Sequence, residues 1–351
     1  ISIAGHSNSS YTGTLAAGPG GGSASAGTIH VAAAGSTASD FTLDAEGTSS
    51  STPTVLAEGN WRTVTVRNAA YLTIGANTSV AGLVVASGAR VDVGENANLN
   101  LGQFSVSGNG TRVVNAGTLT VPGFAAASVA VGTTVSSGIL VENKGTLRVQ
   151  SDVVELANGV TLLEDGDLRG AANQADTVGG FTIFSGGRLS HTPQQQGGVK
   201  FTVTGTLDVR AGGVIDVAGR GLRGGLASGN LLSEGEAYSD TGAVVAGATG
   251  RAGGSHGGPG GAHLGTTNPV HGSETAPVLF GAGGATGATT QVGGNGGGLV
   301  DLRVGNLVLG GNVLADGLAG NTQAGGGAGG SIRIVITGGS FTGAGGMYAR
   351  G

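Results

Sequence analysis

A five-residue phrase recurs along the chain: GTLTV at 117–121, GTLRV at 145–149 and GTLDV at 205–209. Each opens on a turn glycine and then alternates apolar, polar, apolar, the period-2 signature of a short half-buried strand. A longer unit returns in the second half, where GTLDVRAGGVIDVAG (205–219), GNLVLGGNVLADG (305–317) and GGSFTGAGGMYARG (338–351) overlay with small gaps. The overlay places Leu207, Leu307 and Phe341 in one register, Ile215, Val313 and Met347 in a second, and Gly219, Gly317 and Gly351 in a third. Such repetition restricts the fold strongly, because each unit is too small to bury its apolar face alone and must stack on its neighbours.

Less regular strands fill the first half: RTVTV, AYLTIG, GLVVASG, RVDVG, NLNLGQFSVSG, GVTLLEDGDL and GFTIFSGG. Short strands separated by Gly, Asn, Asp and Ser predict an all-β chain. A short helix can be argued only over 150–159 and 226–238, the latter against several glycines. Sandwiches and propellers join successive strands by tight hairpins at regular spacing. Here the turns are irregular and the same rung returns after unequal gaps, which a parallel β-solenoid explains: coils of roughly 20 to 28 residues stack, and insertions leave from the corners.

Glycine shifts in density near residue 200: 45 of the 76 glycines lie in 201–351. The predicted organisation is residues 1–58 as an N-terminal cap, linker or donated strand, 59–200 as short coils, and 201–351 as coils of the same solenoid carrying glycine-rich insertions. Runs such as GGSHGGPGGAHLG (253–265), GAGGATGATTQVGGNGGG (281–298) and AGGGAGG (324–330) each rejoin a strand at once. Free linkers belong between domains, not repeatedly inside one array. The expectation is ordered insertions, extended and polyproline-II-like, whose backbones approach closely and pair by N–H to C=O bonds in a layer on one face or edge of the solenoid.

On the GTLxV rungs, with GGGLVDLRVGNLVL (296–309) and GGGAGGSIRIVITGG (325–339), the chain resembles the right-handed parallel β-helix domains of bacterial secreted surface proteins. That broad group includes autotransporter passenger domains and large glycine-rich envelope proteins. The resemblance covers residues 60 to 351 and implies a right-handed parallel β-helix. It implies architecture and not activity, since β-helices host adhesins, lyases, hydrolases and inert spacers alike. The glycine layer is similar to the polyglycine-II sandwiches at the tips of some phage tail adhesins.

Candidate chemistry is sparse. His256, His263 and His271 form an H-x6-H-x7-H string that could converge on zinc or copper. The surrounding glycine supplies little second shell, with only Glu274 close by, so the plainer reading places them on an ordered insertion. GGSHG (253–257) matches the nucleophile-elbow spacing around Ser255, yet neither strand nor helix is predicted on its two sides. GGGAGG (325–330) matches a dinucleotide fingerprint, but a strand follows it and no carboxylate occurs after Asp316. Neither Lys144 nor Lys200 follows a glycine, which excludes a phosphate-binding P-loop. Calcium nonapeptides are absent as well.

Glu164, Asp165 and Asp167, with Arg169, are the best acidic cluster. They could serve a glycosidase or a calcium-assisted lyase; the alternative is an E-D-G-D turn. Trp61 stands alone and Tyr11, Tyr71, Tyr238 and Tyr348 are scattered, so no sugar-stacking platform is readable. No catalytic residue, cofactor or metal is therefore assigned.

With 11% charged residues, a net charge of −5 and no basic tract, the chain offers nothing to track a phosphate backbone, so nucleic acid is not an expected partner. No apolar run approaches the length of a membrane span. The absence of cysteine and the Thr/Ser/Asn/Val/Ala-rich balance fit a secreted or cell-surface chain, and since Ile1 opens without an initiator Met or a signal-peptide pattern, any signal peptide is expected to have been removed. The expected function is a non-enzymatic extracellular structural or adhesive protein that self-associates through solenoid ends or edges into a fibre, sheath or stalk. A carbohydrate-active lyase or hydrolase, or a glycan-binding adhesin contacting surface glycans, is the alternative. The unit ending at Gly351 lacks a capping element, so either the native chain continues or another subunit covers it.

Overall fold

The computed structural model describes residues 2–6, 28–33, 38–49, 51–56, 58–125 and 138–351. The chain divides into two compact units, Ile1–Arg188 and Leu189–Gly351. Among the described residues every regular element is a strand, and nearly all the pairings are parallel. The two stretches where a helix could be argued hold none. Within 150–159, Val153–Leu156 is a strand paired with Gly180–Ile183, because its alternation turns Val154 and Leu156 into the core. Within 226–238, Asn230 Nδ2 donates to the carbonyls of Gly224 and Glu234 and holds a turn, after which Glu236–Tyr238 pairs antiparallel with Val244–Ala246.

The first unit contains two parallel ladders. One passes through Ser39–Asp44, Gly59–Arg67, Thr78–Ala86 and Phe104–Ser107, with Phe41, Val64, Leu83 and Phe104 in one register. Beside it, Leu99, Leu119, Leu147 and Leu168 form a column, so two of the GTLxV phrases lie directly over one another. The second ladder runs through Thr54–Leu56, Tyr71–Ile74, Arg90–Val93, Arg112–Asn115, Ile139–Asn143 and Val160–Glu164. Its central column is Leu72, Val91, Val113, Val141 and Leu162, all buried. Each such side chain contributes about 1.5–3 kcal/mol by leaving water, so these columns are the main source of the ladder's stability. Among the described residues of this unit, one antiparallel pairing is present, joining Thr28–Ala33 to Ser39–Asp44.

The turn glycine of each rung is required by closeness. A Cβ at Gly145 would overlap the carbonyl of Gly117, and one at Gly166 the carbonyl of Gly145. The rungs can therefore stack at strand spacing only if these positions carry no side chain.

In the second unit, Val199–Val209 pairs with Leu299–Leu309, which pairs with Ser331–Ile336 and Phe341–Thr342. Val214–Asp216, Asn312–Leu314 and Gly346–Tyr348 form a second parallel ladder. Leu207, Leu307 and Phe341 share a register, as do Ile215, Val313 and Met347, matching the sequence overlay. Residues 217–298 are inserted between the first and second rungs, and 315–330 between the second and third.

Candidate functional site

The inserted glycine segments hydrogen-bond to one another with a three-residue period. Gly281 and Gly284 donate to the carbonyls of Gly297 and Gly294; Leu222 and Gly225 donate to those of Gly281 and Gly284. Gly293 and Gly296 reach Gly225 and Leu222, Gly294 and Gly297 reach Gly325 and Ala328, and Gly325 and Ala328 reach Ala285 and Ala282. Partners spaced i and i+3, running both parallel and antiparallel, are what backbones with three residues per turn make when packed side by side. Each backbone thus satisfies its polar groups through neighbours on more than one side.

Glycine is demanded in this layer by space. A Cβ on Gly293 would overlap the Gly284 carbonyl, one on Gly296 that of Gly281, and one on Gly297 that of Ala315. None of the three has a positive φ, so the close approach of backbones selects the residue. Buried Leu222, Phe280 and Leu299, with Tyr238 against them, form an apolar core beneath the layer.

One side of the layer opens on a hollow of about 520 Å³, lined by Arg251, His256, Pro259 and the backbones of the 253–261 and 325–329 segments, with Ala349 and Gly351 at its rim. His256 Nδ1 lies 2.8 Å from the Gly329 carbonyl; since a carbonyl only accepts, Nδ1 carries the proton. Its Nε2 is 3.5 Å from Ser331 Oγ, whose own proton goes to the Leu279 carbonyl at 2.6 Å. Burial holds His256 below the ordinary histidine pKa, partly offset by the Gly329 hydrogen bond, so the ring is neutral near pH 7. His271 packs 5.0 Å from His256, centroid to centroid, and directs Nε2 at the Phe280 carbonyl. His263 is exposed, and its carbonyl accepts from the Arg251 amide. The structure therefore joins two of the three histidines, and the described residues contain no group of three side chains that could hold a metal ion.

Ser255 of GGSHG is buried, and its Oγ accepts from the Gly260 amide in a segment without strand or helix. GGGAGG leads into the strand Ser331–Ile336.

The acidic cluster is split. Glu164 points into the first unit's interior, 3% exposed, whereas Asp167 pairs with Arg169 nearer the surface and accepts from the Asp176 amide. Glu164 ends a polar column: Asn115 Nδ2 donates to Asn143 Oδ1, and Asn143 Nδ2 to Glu164 Oε1, each at 2.7 Å. Burial drives the Glu164 carboxyl up to about 8, against the opposing hydrogen bonds from Asn143 and the Gly166 amide. So placed, Glu164 cannot touch a polymeric substrate. Asn115 and Asn143 are the residues that strand alternation alone misses. Their signal is positional: N-A-G-T-L, N-K-G-T-L and E-D-G-D-L each set a polar side chain two residues before the turn glycine.

No family model matches the chain, and no curated protein or solved structure does so either.

Proposed function

We propose that the chain is a right-handed parallel β-helix that serves outside the cell as a non-enzymatic structural or adhesive protein, self-associating through solenoid ends or edges. What carries the reading is the stack of rungs in the second unit, in which Leu207, Leu307 and Phe341 lie over one another, as do Ile215, Val313 and Met347. The third of these rungs is made of Ser331–Ile336, Phe341–Thr342 and Gly346–Tyr348. The same rung exposes Phe341 (59%), Met347 (38%) and Tyr348 (40%). Exposed apolar side chains of this kind are available to a neighbouring copy of the chain. The parallel ladders and the near-universal right-handedness of parallel crossovers support the β-helix.

Negative-stain electron microscopy across a concentration series tests this. Filaments or end-to-end stacks are expected for the wild type and isolated particles for the double variant Phe341→Lys/Tyr348→Lys, which alters only exposed positions. Isolated wild-type particles at every concentration would refute it.

A further inference from the structure

We propose that the hollow on the glycine layer is a docking groove for a glycine-rich peptide segment held in extended, three-residue-per-turn form. The argument starts from residues 325–330. Their amides point in three directions, as a three-residue turn requires. Gly325 and Ala328 donate to Ala285 and Ala282; Gly327 and Gly330 donate to Leu318 and Ala315. The third pair, Gly326 and Gly329, donates to no described residue, and both line the hollow. Gly326 and Gly329 stand one turn apart, about 9 Å along such a backbone.

Across much of the layer, two amides spaced i and i+3 meet two carbonyls spaced by three on a neighbouring segment. The Gly326/Gly329 pair is the donor half of the same contact. The opposite wall has the same character, being built of Gly253, Gly254, Gly258, Gly260 and Gly261. Gly254 already donates to the Gly326 carbonyl and Gly253 to that of Gly261, so these walls are held in place before anything enters. A fixed groove lined by backbone, presenting donors at a three-residue pitch, selects an occupant with carbonyls at that pitch and no side chains on the buried side. A glycine-rich peptide meets both demands, whereas a β-strand, with its two-residue alternation, meets neither. The proposal rests on the layer alone and holds whether or not the chain self-associates.

Two positions allow a clean test. A Cβ at Gly258 or Gly261 would meet nothing within 4 Å, and neither has a positive φ, so valine there fills the hollow without straining the fold. Amide hydrogen exchange is followed by NMR on the full chain, alone and with a capped nonapeptide of three Gly-Gly-Ala units. In the free protein Gly326 and Gly329 should exchange much faster than Gly325, Gly327 and Ala328. The peptide should slow the two by about tenfold or more, and a nonapeptide with valine replacing every residue should not. Gly261→Val should keep the slow exchange of Gly325 and Ala328 while abolishing the peptide effect. Unchanged exchange at Gly326 and Gly329 with millimolar peptide, or equal protection in Gly261→Val, would overturn the proposal. Protection produced by inorganic sulfate without peptide would overturn it in favour of an anion site beside Arg251. Protection that rises with protein concentration alone, and is lost in Gly261→Val, would replace the peptide with a second copy of the chain.

Discussion

At the scale of single residues, the second ladder of the first unit changes character as it climbs. One inward column reads Ile74, Val93, Asn115, Asn143, Glu164, passing from apolar to polar while staying buried. The amides make this tolerable, since each asparagine donates to the residue above and also to a backbone carbonyl, Asn115 to Thr146 and Asn143 to Asp167. Glu164 acts as the neutral end of that chain. Its carboxyl titrates near 8 in the fold and near 4.5 when free, so between those values the folded state binds more protons than the unfolded one. Stability from this group therefore falls as pH rises from about 4.5 to about 8, by on the order of 5 kcal/mol in total, and is flat above. Glu164→Gln should match the wild type near pH 4 and exceed it increasingly up to pH 9 in denaturant unfolding. A constant difference across that range would mean the carboxyl is not held neutral. Asn143→Ala, which removes one of the two partners of Glu164 Oε1 and of Asn115 Nδ2, should cost about 1–3 kcal/mol near pH 5 and more at pH 9, where the ionised carboxyl loses that donor.

At the scale of elements, the glycine layer depends on backbones lying closer than any Cβ permits. Gly293→Ala should destabilise the second unit by about 3 kcal/mol or more, because the added methyl would overlap the Gly284 carbonyl and the neighbouring segments cannot yield separately. Gly261→Ala, facing open space, should be neutral within about 0.5 kcal/mol. Thermal unfolding of the two variants decides the matter, and equal midpoints would show the layer to be loosely packed. The rungs were readable from the sequence because strand partners repeat the same residue types: Leu207 over Leu307, Ile215 over Val313. For the insertions, paired polyproline-II-like backbones were expected but not which segments meet, because the partners come from distant stretches; Gly225, for instance, donates to the Gly284 carbonyl. The Asn115–Asn143–Glu164 column escaped for a related reason. An asparagine beside a turn glycine reads as turn chemistry until rungs 28 and 21 residues apart are laid over one another. At 150–159, local helix propensity lost to pairing, which buries Val154 and Leu156 completely.

At the scale of the whole molecule, charge is scarce and largely matched. Many carboxylates meet an arginine on the next rung: Asp40 with Arg62, Asp44 with Arg67, Asp301 with Arg333, Asp316 with Arg350. Exposed pairs of this kind contribute about 0–1 kcal/mol each, so they set register more than they drive association. With a net charge of only −5, copies of the chain repel one another weakly, and the rung of Phe341, Met347 and Tyr348 exposes apolar side chains. Assembly through that rung should thus resist simple salt. The concentration at which filaments form, followed by light scattering, should move less than about threefold between roughly 0.05 and 0.5 M NaCl. Ammonium sulfate, which strengthens apolar burial, should lower it. If NaCl instead dissolves the filaments, ionic contacts carry the association; Arg350, at that same rung and 69% exposed, would be the first residue to replace. Loss of assembly in Arg350→Gln would then move the contact from the apolar side chains to the charged rim.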